Sequence, residues 1–196
     1  MEERASSISR ATAETEVEIS LILDGTGKTS VSTGFGFADH MLTLLGYWAG
    51  FDLKVTCRGD LEVDVHHSLE DIGLCLGTAL EQSLGERKGI QRVGWAKIPM
   101  DEALTEVVID LSGRPYFVYT ENLLPPVIAG EEKDVWREFF KSFAFQAKMN
   151  LHMHFLYGQN GHHLLESATK GLGLALRNAV AATGKGIFST KGSLQS

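Results

Sequence analysis

Two cysteines and four prolines in 196 residues leave this chain little covalent or conformational bracing. Cys57 and Cys75 stand apart, in neither metal-type spacing nor an even disulfide framework, so both are expected as buried free thiols of a cytoplasmic protein. No apolar stretch approaches the roughly 20 residues that a membrane span requires. The start, Met1-Glu2-Glu3-Arg4, is polar and acidic and lacks the basic-then-apolar order of a signal peptide. Low-complexity tracts are missing, which excludes wholesale disorder. Basic residues are the minority, 18 against 25 acidic for a net charge of −7, and form no run, so nucleic acid is a poor partner. Gly34-x-Gly36 lacks the third glycine of a dinucleotide fingerprint.

What is abundant is an ordinary apolar content, 43%, and an unusual arrangement of histidine. Four of the seven histidines form two adjacent pairs, His66-His67 and His162-His163. Laying His66 on His162 and reading to Leu84 and Val180 gives eight identities in nineteen positions. They are both histidines, Leu69/Leu165, Glu70/Glu166, Leu76/Leu172, Gly77/Gly173, Ala79/Ala175 and Leu80/Leu176. Such agreement marks a duplicated unit.

The surrounding pattern repeats as well. Alternation over 15–23, a turn at Asp24-Gly25-Thr26-Gly27 and a second run over 28–33 predict a hairpin, mirrored by 104–111 and 116–120. Helical spacing follows at 39–49 and, through Val135, Phe139, Phe143 and Ala147, in the second half. Strands are expected at 51–57 and 149–155, one more at 61–65, and the His-His helices at 68–84 and 164–181. Residues 83–100 then join the halves, and 122–133 form a loop. The fold expected is α+β, two pseudo-repeated halves at 1–92 and 93–196, each a mainly antiparallel sheet with two helices on one face.

On a helix, residues four apart share a face and neighbours diverge by about 100°. His66 and Glu70 can therefore grip one ion while His67 faces another, and His162, Glu166 and His163 obey the same rule. Asp71, four after His67, is a rival ligand, but its repeat partner is Ser167. Aligning the helices before the strands puts His40 opposite Glu138, two further metal-competent side chains. The eight donors His40, His66, His67, Glu70, Glu138, His162, His163 and Glu166 give each of two ions four protein ligands. Imidazole and carboxylate without thiolate suit Mn, Fe, Co or Zn, with coordination positions open for catalysis. His152 and His154 alternate opposite Leu151, Met153 and Phe155 and read as sheet-surface residues. A dinuclear metallohydrolase of a small phosphate ester, or a metal-stapled assembly protein, would use the same donors.

The segments Gly36-Phe37-Ala38-Asp39-His40-Met41-Leu42, His66-His67-Ser68-Leu69-Glu70-Asp71, Asp101-Glu102-Ala103, Asp110-Leu111-Ser112-Gly113-Arg114-Pro115, His162-His163-Leu164-Leu165-Glu166 and Ser189-Thr190-Lys191-Gly192 resemble the imidazoleglycerol-phosphate dehydratase family. The resemblance runs from about residue 10 to the C-terminus. It implies a hydro-lyase of histidine biosynthesis with a ribosomal-protein-S5-domain-2-like fold and two Mn²⁺ per subunit. It further implies a homo-oligomer of twenty-four subunits with sites at subunit contacts. One ion would take His40, His67, His162 and Glu166, the other His66, Glu70, Glu138 and His163. By the same resemblance Glu14 binds substrate and moves protons, and Arg92, Arg114, Lys170, Ser189 and Lys191 hold the phosphate, with the tail ordering over it. Read without the resemblance, Glu14 is a solvated residue ahead of a strand and Arg114 an exposed turn residue.

Overall fold

Strand alternation is clean where one face meets helices. In β2 (Thr15–Ile22) Thr15, Val17, Ile19 and Leu21 are buried while Glu16 and Glu18 face water. In β6 (Ala103–Asp110) Ala103, Thr105, Val107 and Ile109 repeat the pattern. The computed structural model describes residues 3–190. Its first half runs β1 (Ala5–Ala11), β2, β3 (Thr29–Ser32), α1 (Gly36–Ala49), β4 (Asp52–Gly59) and α2 (His66–Leu84). The second runs β5 (Val93–Met100), β6, β7 (Tyr116–Thr120), β8 (Val127–Ile128), β9 (Glu131–Glu132), α3 (Asp134–Gln146), β10 (Asn150–Tyr157) and α4 (Gly161–Val180).

The two four-stranded sheets share one topology, β1-β2-β4-β3 and β5-β6-β10-β7. The first three strands of each are antiparallel neighbours, and the fourth joins in parallel. The fold is therefore α+β, with two mixed sheets each packed with helices. Register fixes the internal correspondence: Leu21 stands opposite Leu53 as Ile109 stands opposite Leu151.

Both hairpins expected from the sequence are replaced. β2 pairs with β1 and β6 with β5, two strands that the sequence reading did not foresee, and β4 and β10 separate the segments predicted to be partners. Part of the reason lies in Asp52, whose Oδ1 accepts the Thr26 and Lys28 N–H groups at 2.7 and 3.0 Å and wraps the turn around the start of β4. The chain after that turn is thereby delivered to the far edge of β4, where Thr29 registers with Leu53. Residues 61–65 form a turn instead of a strand, and the segment expected only to join the halves contains β5. The 122–133 loop carries the short β8–β9 ribbon.

Helices fill the space between the sheets. α2 packs on β1, β2 and α3, and α4 packs on β5, β6 and α1. Trp136, Phe140 and Phe143 of α3 are among the largest fully buried side chains. The repeated glycines explain how closely helices approach: a Cβ at Gly77 would fall 2.5 Å from the Phe143 carbonyl oxygen, and one at Gly173 would fall 2.9 Å from that of Leu45. Both halves thus contribute helices to one shared core. No helix among the described residues is long and apolar enough to cross a membrane.

Candidate active site

Each His-His pair lies in the first turn of its helix, and a side chain two residues ahead sets that turn. Asp64 Oδ1 accepts the His66 N–H at 2.7 Å, and Asn160 Oδ1 accepts the His162 N–H at 2.9 Å. The helices begin earlier than the sequence spacing suggested, at His66 and Gly161, so all four histidines are helical. The two remaining aligned donors match in position too: His40 is the fifth residue of α1, as Glu138 is of α3.

Packing of α1 on α4 brings His40 over the first turns of α4. His40 Nε2 and His162 Nε2 each lie 3.0 Å from Glu166 Oε2. The two rings sit 5.6 Å apart, with Phe37 against the His162 ring at 5.0 Å. Glu166 is buried, and its other oxygen accepts from Lys170 Nζ at 2.6 Å. Burial by itself would raise the Glu166 carboxyl, but the bonds from Lys170, His40 and His162 outweigh it and hold the group at about 2. An anionic oxygen facing two imidazole nitrogens is a donor set suited to a divalent cation, since the three ligand atoms lie within 4.8 Å of one another. Lys170 supplies charge balance from the side, its ammonium 5.8 Å from the Trp48 ring centre.

The other five expected ligands stand elsewhere on this chain, and among the described residues only His40, His162 and Glu166 gather in this way. His66 Nε2 is 3.7 Å from Glu70 Oε2. His67 Nδ1 bonds Asp60 at 3.0 Å and lies 3.9 Å from Glu14. Asp60 chiefly raises the His67 imidazole. His163 Nδ1 donates to Glu102 Oε2 at 2.6 Å, a bond that raises the imidazole and, with backbone N–H groups of Asn160 and Gln159, pushes Glu102 down to about 2. Glu138 pairs with Lys141 at 2.7 Å. Asp71, the rival ligand, is occupied by Arg10 at 2.9 Å and by Thr15.

Of the phosphate candidates, Lys170 is turned onto Glu166 and Arg114 is exposed at its turn. Arg92 is held by Asp110 at 2.6 and 2.8 Å and reaches the Phe188 carbonyl at 2.7 Å, tying the tail to the second sheet. Ser189 follows that contact, and Lys191 lies outside the described residues. His152 and His154 lie half-buried on the outward face of β10, His152 stacked near Tyr116 at 6.3 Å.

Sequence reasoning passed over Asp60 and gave Glu102 no task. Asp60 carries no pattern of its own. Glu102 had a signal in the register, since it stands seven residues before Ile109 as Glu14 stands before Leu21.

The imidazoleglycerol-phosphate dehydratase family model matches residues 33–176. A protein of that name from Solidesulfovibrio magneticus is 66% identical over 195 residues, covering 99% of this chain and all of the relative. One from Heliobacterium modesticaldum is 49% identical over 97% of this chain and all of its own length. The crystal structure of the Staphylococcus aureus imidazoleglycerol-phosphate dehydratase superposes with a TM-score of 0.82 at 33% identity, over 91% of this chain and 99% of that one. The corresponding Pyrococcus furiosus structure also scores 0.82, at 35% identity over 95% and 99%.

Proposed function

This chain belongs to the imidazoleglycerol-phosphate dehydratase family, a hydro-lyase of histidine biosynthesis, and from that premise we propose how its residues divide the reaction. The substrate is imidazole glycerol phosphate and the product imidazole acetol phosphate. Water is lost as a hydroxyl from one side-chain carbon and a hydrogen from its neighbour. No carbonyl stands beside that hydrogen to acidify it, so a positioned base must remove it. Glu14 takes that role. It sits exposed at the β1–β2 turn, and its carboxylate, 3.9 Å from His67 Nδ1, makes no hydrogen bond among the described residues.

His40, His162 and Glu166, joined by His67, would hold one Mn²⁺, and His66, Glu70, Glu138 and His163 a second. When bound, such ions supply Lewis-acid polarisation and a template for the imidazole ring. Arg114, Arg92, Lys170, Ser189 and Lys191 would anchor the phosphate, where the planar arginine fork offers paired donors. Lys170 also keeps Glu166 ionised, which favours cation binding.

The ligand sets call for a homo-oligomer whose sites are completed by neighbouring subunits. In support, Val93, Trp95, Val108 and Tyr116 are exposed on the outer face of the second sheet.

The observation that carries the reading is the meeting of two imidazoles on the buried Glu166. Stripping the protein with chelator, restoring Mn²⁺ and assaying imidazole glycerol phosphate tests it. The expected result is formation of imidazole acetol phosphate without free phosphate, recovered at about two ions per chain. Conversion by metal-free protein would refute the metal assignment, and release of inorganic phosphate would indicate hydrolysis instead.

A further inference from the structure

The duplication supplies two equivalent carboxylates that behave differently. Ala13-Glu14 and Asp101-Glu102 are the central pairs of the two hairpin turns, closed by the Thr12–Thr15 backbone bond and the Met100–Ala103 pair. Each glutamate lies near the second histidine of the helix packed on its sheet. The distance is 3.9 Å from Glu14 to His67 Nδ1 and 2.6 Å from Glu102 to His163 Nδ1. Glu102 is fully engaged, with Oε1 accepting from Gln159 N at 3.1 Å and Asn160 N at 2.8 Å and Oε2 taking the imidazole. In the first half the corresponding imidazole bonds Asp60 instead, at 3.0 Å.

We propose that Glu102 is a positioning residue that fixes His163 through Nδ1 and thereby presents Nε2 to the second metal ion, Asp60 doing the same for His67 and so leaving Glu14 free. This rests on the two-metal reading above. A histidine whose Nδ1–H is committed to a carboxylate carries its lone pair on Nε2, the form that ligates. His163 Nε2 meets the assignment: Asp101 Oδ2 is the nearest acid, at 3.7 Å, beyond a hydrogen bond. The same glutamate clamps the loop that starts α4, where Asn160 in turn caps His162, so one side chain sets the ring and the helix start together. Glu14, without such bonds, keeps a carboxylate available for proton transfer, and the duplicated frame has separated holding from reacting.

The test is Mn²⁺ titration of the assembled protein against a competing chelator, with thermal unfolding and oligomer size measured alongside. Glu102→Gln keeps an oxygen for the two backbone N–H groups but turns an amide N–H toward Nδ1, which drives the ring proton onto Nε2. Folding and assembly should survive, while one of the two ions weakens by about tenfold to a hundredfold. Glu102→Asp, which retains the charge on a shorter arm, should recover part of that affinity, and Asp60→Asn should weaken the other ion. Unchanged Mn²⁺ affinity in Glu102→Gln overturns the proposal. Absence of Mn²⁺ binding by the unsubstituted protein instead removes the two-metal reading on which it stands.

Discussion

Glu166 and Glu14 are both glutamates near imidazole, and their surroundings assign them opposite uses. Glu166 is buried, tied to Lys170 and two histidines, and held at about 2, so it stays an anion, the form suited to hold a cation. Glu14 is exposed and its carboxylate, 3.9 Å from His67, makes no hydrogen bond among the described residues, so Glu14→Gln should lower kcat by about 10²–10⁴ while Mn²⁺ content and assembly remain, as steady-state kinetics and metal analysis would reveal. The two thiols have a quieter role. Burial, helped by the Asp71 charge, pushes Cys75 up to about 11, and burial also raises Cys57. Both should resist a thiol reagent at pH 8 in the native protein and titrate fully after denaturation. The unfolded Cys75 thiol ionises first, so its contribution to stability is intact below about pH 9 and is lost as pH rises towards 11. A reactive native thiol at pH 8 would contradict this account.

At the scale of elements, the inter-helix contacts are set by absent side chains. Replacing an exposed helical glycine by alanine ordinarily stabilises by close to 1 kcal/mol. Gly77→Ala should do the reverse, because the added Cβ meets the backbone oxygen of Phe143 at 2.5 Å and neither helix can yield cheaply. A loss of about 1–3 kcal/mol is expected, read as a lowered Tm in calorimetry. A raised Tm would show that α2 and α3 are free to separate. The same crossings carry functional consequence, since the packing of α1 on α4 is what delivers His40 to Glu166.

For the whole molecule, the decisive feature is that, among the described residues, one chain gathers only three of the expected donors while His67 faces Asp60. If neighbouring subunits complete each site, His67→Ala and Glu166→Ala proteins should each be inactive, yet co-expressed chains should regain a measurable fraction of activity. In mixed assemblies some sites draw an intact His67 from one chain and an intact Glu166 from another. Recovery absent from verified mixed oligomers would mean that each chain builds its own site.

The sequence by itself determined the duplication, the presence of the main helices and the histidine–carboxylate character of the candidate site. Those signals are local: a helix carries its period in consecutive residues, and His-His-x-x-Glu fixes its own faces through the 3.6-residue turn. Strand pairing is not local. Alternation announced β2 and β3, but nothing in those residues named β4 as the strand between them, and β1 and β5 lay unread beside their true partners. The tertiary structure alone decided that His40 meets Glu166 across 126 positions of chain, that Asp60 and Glu102 bond the second histidines, and that Asp71 serves Arg10 and Thr15. Each of those pairings joins side chains from different elements, and only the packing of helices and sheets sets the distances between them.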